Sequence, residues 1–467
     1  MSIYGISTAP EREGFSDEPG SGDTDALYSK HVNPQWVKLY NTLGMNVRYE
    51  SCLGSELTTG DGRRVLDFLS GYCVYNAGHN HPRIIEALTD ELGSGGATML
   101  QSHVPGLAAE LASRLCSLAG GRLNKVFFTS SGSEGVETVI KFSRAHTRRP
   151  GVLYCEGAFH GLTCGALSLM DGPYWKDGFG PLLPDTESVP FLDLGALEEK
   201  LSTRRFAAFV VEPVQAEAGI LVPPAGRLKE AEALCRKYGT LFVLDEVQTG
   251  IYRTGPFLAA HHWGLEPDMV VLAKALSGGF VPCGAVLMSD GVSRSVFSSV
   301  TRAFVHASTF GENNLAMRAG LATLDVMKEE RLGTRALALG DRLRKRLEDV
   351  SGGYEMVRGI NGLGMLNGIE FTEPKRLRLK ILYEAFRKIH PGMFGMIVVM
   401  RLFREKNILT QICGNNHMVL KVAPPLVVTD VQIEEFAEGV GDVLETVHTK
   451  TSFWSEALLM ARRALGP

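Results

Sequence analysis

Hydrophobic and polar positions along the chain alternate between two periods. Short runs of consecutive apolar residues, "KVFFTS", "GVLYCEG", "FAAFVVEP", "TLFVLDE", "DMVVLAK" and "CGAVLMS", recur through the first two thirds. Bounded by polar and turn residues, they predict short buried strands. Between them lie stretches with apolar residues three and four apart, among them "PRIIEALTDEL", "PGLAAELASRLCSLA", "GSEGVETVIKFSRAHT" and "GRLKEAEALCRKYG". This spacing predicts amphipathic helices. Apolar strands that alternate with helices make an α/β fold whose mostly parallel sheet is covered on both faces. Ligands in such sheets bind at the carboxyl ends of the strands, so the residues just past each apolar run are the first places to look for chemistry.

Near residue 325 the pattern changes. "GTRALALGDRLRKRLEDV" predicts a long helix, "GLGMLNGIEF" and "MVLKVAPPLVV" predict strands, and "DVQIEEFAEGVGDVLETV" and "FWSEALLMARRAL" predict closing helices. Before the large sheet, "VRYESCLGSELTTGDGRRVLDFLSGY" reads as short strands broken by a Gly-Asp-Gly turn. The expected organisation is a disordered polar leader over 1–30 and an N-terminal segment over 31–75 that packs with the small domain. A large domain follows over 76–325, and a smaller α+β domain over 326–467.

Composition narrows the function. The 467 residues are 45% hydrophobic and 21% charged, ordinary for a soluble globular protein, and the formal net charge of −4 gives no electrostatic case for nucleic acid or an anionic membrane. The basic run "RLRKR" falls in a helical pattern and reads as a solvated face. The longest apolar run, "FGMIVVM", is far too short to cross a bilayer. Eight scattered cysteines without a CxxC pair or zinc-like spacing suggest a reduced, cytoplasmic protein with no metal site. The N-terminus has no apolar core and is no signal peptide.

Several strand ends carry unusual residues. "DMVVLAK" ends on Lys274. A lysine there either snorkels to the surface or holds a desolvated amine ready to attack a carbonyl carbon. "FFTSSGSEGVE" places Gly132 and Ser133 at the start of a helix, where small residues and the helix terminus suit a phosphate, although taken alone the stretch is better explained as an ordinary capped helix. Phe159, His160 and Gly161 form a loop after a strand, and a loop aromatic beside glycine suits a flat ring as well as a core. Glu212 and Glu217 follow the next strand. Asp245, Glu246 and Gln248 follow another, where a carboxylate suits a heterocyclic nitrogen or a metal. No GxxxxGK[ST] loop supports the nucleotide alternative.

An aspartate, a lysine, an aromatic and a phosphate seat together meet the needs of pyridoxal 5′-phosphate. From Leu57 to Val440 the sequence resembles the class III, ω-type, aminotransferases. The motifs "GDGRRVLDFLSGYCVYNAGHNHP", "SSGSEGVE", "FHG", "EPVQAEAG", "LDEVQTGIYRTG", "LAKALSGG", "STFGENNLA" and "VAPPL" stand in that family's order. The resemblance implies the fold type I architecture of pyridoxal-phosphate-dependent transferases, with a mostly parallel, seven-stranded type of sheet in the large domain. It implies that Lys274 is the Schiff-base lysine and proton carrier, that Asp245 pairs with the pyridine nitrogen, and that Val247 and Phe159 cover the two ring faces. Gln248 would bond the phenolic oxygen, and Gly132 and Ser133 the phosphate, with His160 and Glu212 also at the cofactor. Thr309 matches a threonine that reaches the phosphate from a neighbouring subunit, which implies a homodimer or higher assembly. Small-molecule amine donors and carbonyl acceptors would react in ping-pong order, and similarity around "GAFHGLTCGALS" to ornithine- and diamine-type members suggests a terminal amine as donor.

The substrate side departs from the family. Where an arginine usually grips a substrate carboxylate and pairs with the glutamate at Glu217, this chain has Lys421, a point charge in place of a planar fork. Tyr72 falls where members place a substrate-pocket aromatic, and core packing explains it as well. "IYRTG" lacks a common glycine, and "GENN" replaces Gly-Gly-Asn-Pro. An aminomutase or decarboxylase on the same fold, or a non-catalytic relative, stays open at this stage.

Overall fold

The structure is a computed structural model that describes residues 21–99, 102–389, 391–450 and Trp454. The expected apolar runs form a seven-stranded sheet ordered Lys125–Thr129, Gly284–Met288, Met269–Leu272, Leu241–Asp245, Phe206–Val211, Gly151–Cys155, Thr186–Val189. Gly284–Met288 runs antiparallel to both neighbours, and the pairings from Met269–Leu272 through Thr186–Val189 are parallel. The five strands from Gly284–Met288 to Gly151–Cys155 are buried along their whole length, as expected for strands covered on both faces. The edge strand Thr186–Val189 escaped the sequence reading because "TESV" has no apolar run; its residues are mostly half-buried.

Six of the seven strands run the same way, so their carboxyl ends meet along one edge. The antiparallel strand brings its amino end, with Cys283, to that edge. A second sheet joins Tyr49–Leu53, Glu56–Thr59 and Arg64–Asp67 to Ile408–Leu409. Thus the N-terminal strands pair in parallel with a strand from the last part of the chain, Leu66 opposite Ile408. A third sheet contains Val357–Leu363, Leu366–Phe371, Val419–Val422 and Gln411–Ile412. Phe68 and Phe436 stack at 4.0 Å and continue the core between the N-terminal strands and the helix Asp430–Thr449.

Two expectations need correction, and a third cannot be followed. Ser21–His31 is helical, so the leader is ordered over residues 21–30; residues 1–20 lie outside the described residues. Asp25 explains the order in part, for its carboxylate accepts from Asn41 and Asn46. The "RLRKR" face is not simply solvated: Arg342 and Arg346 pair with Glu434, and Arg342 with Asp430, on the facing helix. The predicted helix "FWSEALLMARRAL" lies outside the described residues except for Trp454, which is fully buried and donates to Val447 O.

The missing glycine in "IYRTG" has a visible consequence. Tyr252 occupies it with a φ of +66°, a left-handed conformation that costs an ordinary residue about 1–2 kcal/mol. The next residue, Arg253, is wholly buried and bonded to Met365 O, Pro424 O, Ser70 and Asn76, and so ties the large sheet to the last part of the chain. Among the described residues no cluster suits a metal ion and no helix is long and apolar enough to cross a membrane.

Candidate active site

A cavity of about 380 Å³ opens at the carboxyl edge of the large sheet. Its lining includes Gly132, Ser133, Phe159, His160, Glu212, Asp245, Val247, Gln248 and Lys274. The strand Met269–Leu272 ends two residues before Lys274, whose φ of +45° turns the chain sharply into a short 3₁₀ segment. A left-handed lysine is costly and is found where the surroundings dictate it. The surface that Lys274 retains faces this cavity. Burial lowers the pKa of its amine, and the nearby Asp245 carboxylate only partly opposes this. Lys274 is thus a strained, half-buried lysine at the cavity wall.

Asp245 is buried at the end of the next strand. Its Oδ2 meets His160 Nδ1 at 2.8 Å, and its Oδ1 accepts the Val247 amide at 3.0 Å. Burial opposes charge on His160, but the hydrogen bond and charge of Asp245 outweigh it and raise the imidazole pKa. Nε2 of His160, also buried, has no partner among the described residues. Glu212 takes the Phe159 amide at 3.0 Å and the Ala216 amide at 3.3 Å. Burial raises its pKa to about 7, against the pull of His160. Glu212 is thus the post that holds the backbone under Phe159. Glu246, beside Asp245 in sequence, faces away and accepts from Ala259, Ala260 and Thr249, so the acidic pair is not one site.

The residues expected to seat a phosphate, Gly132 and Ser133, lie where the chain approaches closely. Ser131 caps the helix Gly132–Thr147, leaving the first backbone N–H groups without intrahelical partners. Gly161 has a φ of +123°, and a Cβ there would lie 2.1 Å from Ser133 Oγ; one on Gly132 would lie 2.9 Å from Val247. A side chain at either glycine would therefore crowd the start of the helix. A flat aldehyde with an anionic tail fits this set: donors at a helix start, a carboxylate held by histidine, Phe159 and Val247 on the cavity wall, and a lysine amine with a lowered pKa.

The substrate-side residues form a second layer. Lys421 is fully buried and paired with Glu217, and Gln248 closes the triangle: its Nε2 donates to Glu217 Oε1 at 3.0 Å and its Oε1 accepts from Lys421 at 3.3 Å. Gly414 N donates to Glu217 Oε2 at 2.8 Å. Tyr72 places its ring over the Lys421 ammonium at 5.3 Å. It belongs to a run of four left-handed residues, Ser70 to Cys73, and its side chain is exposed. Of these residues only Gln248 borders the cavity. Thr309 is exposed and away from the cavity lining in the single chain. Sequence reading missed Trp175 and Asn415, which stand beside Phe159 and Glu217; no apolar period or motif marks them.

A sequence model of class-III aminotransferases matches residues 40–444. The chain belongs to this family. Class-III aminotransferases are pyridoxal-phosphate-dependent, and the sheet described above is their fold type I large domain. The aminotransferase PigE of a Serratia species is 33% identical over 93% of this chain, which spans only 55% of that longer protein. A putrescine aminotransferase of Pectobacterium atrosepticum is 32% identical over 91% of this chain and 88% of its own length. The ornithine aminotransferase of Toxoplasma gondii, a structure with partial occupancy of PLP, superposes with a TM-score of 0.79 at 29% identity, covering 92% of this chain and 95% of that one. These relatives favour the aminotransferase reading over the mutase, decarboxylase and non-catalytic alternatives.

Proposed function

We propose that the chain binds pyridoxal 5′-phosphate in the 380 Å³ cavity and transfers an amino group from a terminal-amine donor to a keto acid or aldehyde. The observation that carries this reading is the meeting of the desolvated Lys274 amine, the His160–Asp245 pair and the Gly132–Ser133 cradle at one cavity.

When bound, the cofactor supplies an electron sink for the bond broken at the donor carbon. The chain does the rest. Lys274 Nζ, whose pKa burial lowers toward the neutral amine, takes the donor's proton and returns it in the second half-reaction. Asp245 holds a proton at the ring nitrogen, and His160 fixes its carboxylate in place. Gln248 has one amide N–H left for the ring's phenolic oxygen after bonding Glu217. Phe159 and Val247 cover the ring faces and exclude water.

A donor with a terminal amine suits the substrate side, since Lys421 stays spent on Glu217 and offers no fork for a carboxylate. The name of the Pectobacterium relative, a putrescine aminotransferase, agrees. We also propose a homodimer in which Thr309 reaches the phosphate seat of a second copy. Phe304, 83% exposed, and Phe310, 62% exposed, flank it, an apolar surface that suits a covering partner. All eight cysteines are unpaired, which fits the cytoplasm.

The test is an absorbance titration of cofactor-loaded protein with diamines, amines and amino acids, with Lys274→Ala as control. Loss of the visible band with diamines, restored by a carbonyl acceptor, is the expected result. A protein that takes up no cofactor under excess refutes the reading.

A further inference from the structure

A clasp joins the two layers of the site. It is built on the loop between the strands Gln411–Ile412 and Val419–Val422. Asn415 commits its whole side chain to the large-sheet side. Nδ2 donates to the carbonyl oxygens of Gly157 at 2.8 Å and Ala158 at 3.2 Å, the two residues before Phe159, and Oδ1 accepts the Trp175 indole N–H at 2.6 Å. The indole stands edge-on to the Phe159 ring, with centroids 5.3 Å apart and planes at 82°. Toward the ion pair, the Asn415 amide donates to Glu217 O at 2.9 Å, beside the Gly414 bond to the Glu217 carboxylate. Gly414 permits this approach: a Cβ there would lie 3.2 Å from Glu217 Oε2 and 3.3 Å from the indole.

We propose that Asn415 is a positioning residue for the reaction, fixing the Phe159 ring through Trp175 and the 157–158 carbonyls and coupling its orientation to the Glu217–Lys421 pair. Asn415 and Trp175 are half-buried, at the rim of the site and not in the core, where a packing role would place them. A shift of the ion pair therefore acts on Gly414 and Asn415 and, through them, on the Phe159 ring. The inference rests on the function proposed above.

The experiment compares cofactor-loaded wild type, Asn415→Ala, Trp175→Phe and the double variant. Three quantities are read: the induced visible circular dichroism of the bound cofactor, KM and kcat for a diamine donor, and melting temperature. The expected result for Asn415→Ala is a weakened dichroic band and a donor KM raised about tenfold with kcat changed less, because ground-state positioning is what is lost. Trp175→Phe, which keeps a ring but loses the N–H, shifts both readouts in the same direction by less. The double variant is no worse than Asn415→Ala, since the two act as one unit. Single variants that match active wild type, effects that multiply in the double, or a fall in melting temperature with KM and dichroism unchanged overturn the clasp alone. A wild type without a cofactor band overturns the functional reading and the clasp with it.

Discussion

Replacing Lys421 by methionine isolates the buried ion pair. The substitution keeps the length of the side chain and removes its charge. Glu217 then retains two neutral donors, Gln248 at 3.0 Å and Gly414 at 2.8 Å, and loses its counter-ion. In the wild type, burial pushes the Glu217 pKa up, but Lys421 and then Gly414 and Gln248 outweigh it and hold it below the ordinary carboxyl value. That contribution to stability is present above the unfolded carboxyl range and is lost as pH falls through it. Lys421 is held above the ordinary lysine value by Glu217, despite burial, so it stays charged throughout the acidic and neutral range. Without Lys421, burial prevails and Glu217 shifts upward. The part of the penalty that comes from this upward shift cannot, at any pH, exceed that of protonating the carboxyl, about 1.36 kcal/mol for each unit above an unfolded pKa of about 4.3. This ceiling is roughly 1 kcal/mol at pH 5 and roughly 3.7 kcal/mol at pH 7, close to the 3–5 kcal/mol typical when one partner of a buried pair is removed. Relief from burying the ammonium offsets part of the loss equally at both pH values. The diagnostic is therefore the widening of the gap, up to about 2.7 kcal/mol between pH 5 and pH 7. Urea midpoints of cofactor-loaded wild type and Lys421→Met, at fixed protein concentration, measure it. A gap that is the same at pH 5 and pH 7 refutes the reasoning, as does one that stays pH-dependent when Glu217→Gln is added.

Two further outcomes are expected. Gly161→Ala forces a Cβ onto Ser133 Oγ and should weaken cofactor binding roughly tenfold or more, given strain of about 1–3 kcal/mol; equilibrium dialysis reads it. Gly172→Ala, also at positive φ but facing open space, should leave that affinity unchanged. Lys274→Met should stabilise cofactor-free protein at neutral pH. A lysine with a lowered folded pKa costs stability as pH falls below the unfolded lysine value, so the gain should shrink as pH rises toward 10. Thermal melts at pH 7 and pH 10 decide it.

The parts of the site visible in the sequence are those whose chemistry is local. Lys274, Asp245 and Gly132 each follow an apolar run, and the parallel strands carry their ends to one edge regardless of detail. The signals failed where the deciding partner lay far along the chain. Asp25 orders a polar helix through Asn41 and Asn46, which composition does not reveal. The edge strand Thr186–Val189 has one neighbour, Gly151–Cys155, and needs no apolar run. Arg342 and Arg346 look solvated until Glu434, on another helix, faces them.

The sequence by itself determined the α/β class and the strand-end residues that line the cavity, Lys274 and Asp245 among them, because strand periods and strand-end residues are written over a few neighbouring positions. Only the tertiary structure decided which partners Lys421, Tyr72 and Asn415 meet. That Lys421 pairs with Glu217, that Tyr72 lies over its ammonium and that Asn415 bonds the carbonyls before Phe159 depend on residues more than a hundred positions apart. Burial turns those distant meetings into large electrostatic effects, and no local pattern encodes a desolvated contact between two sheets.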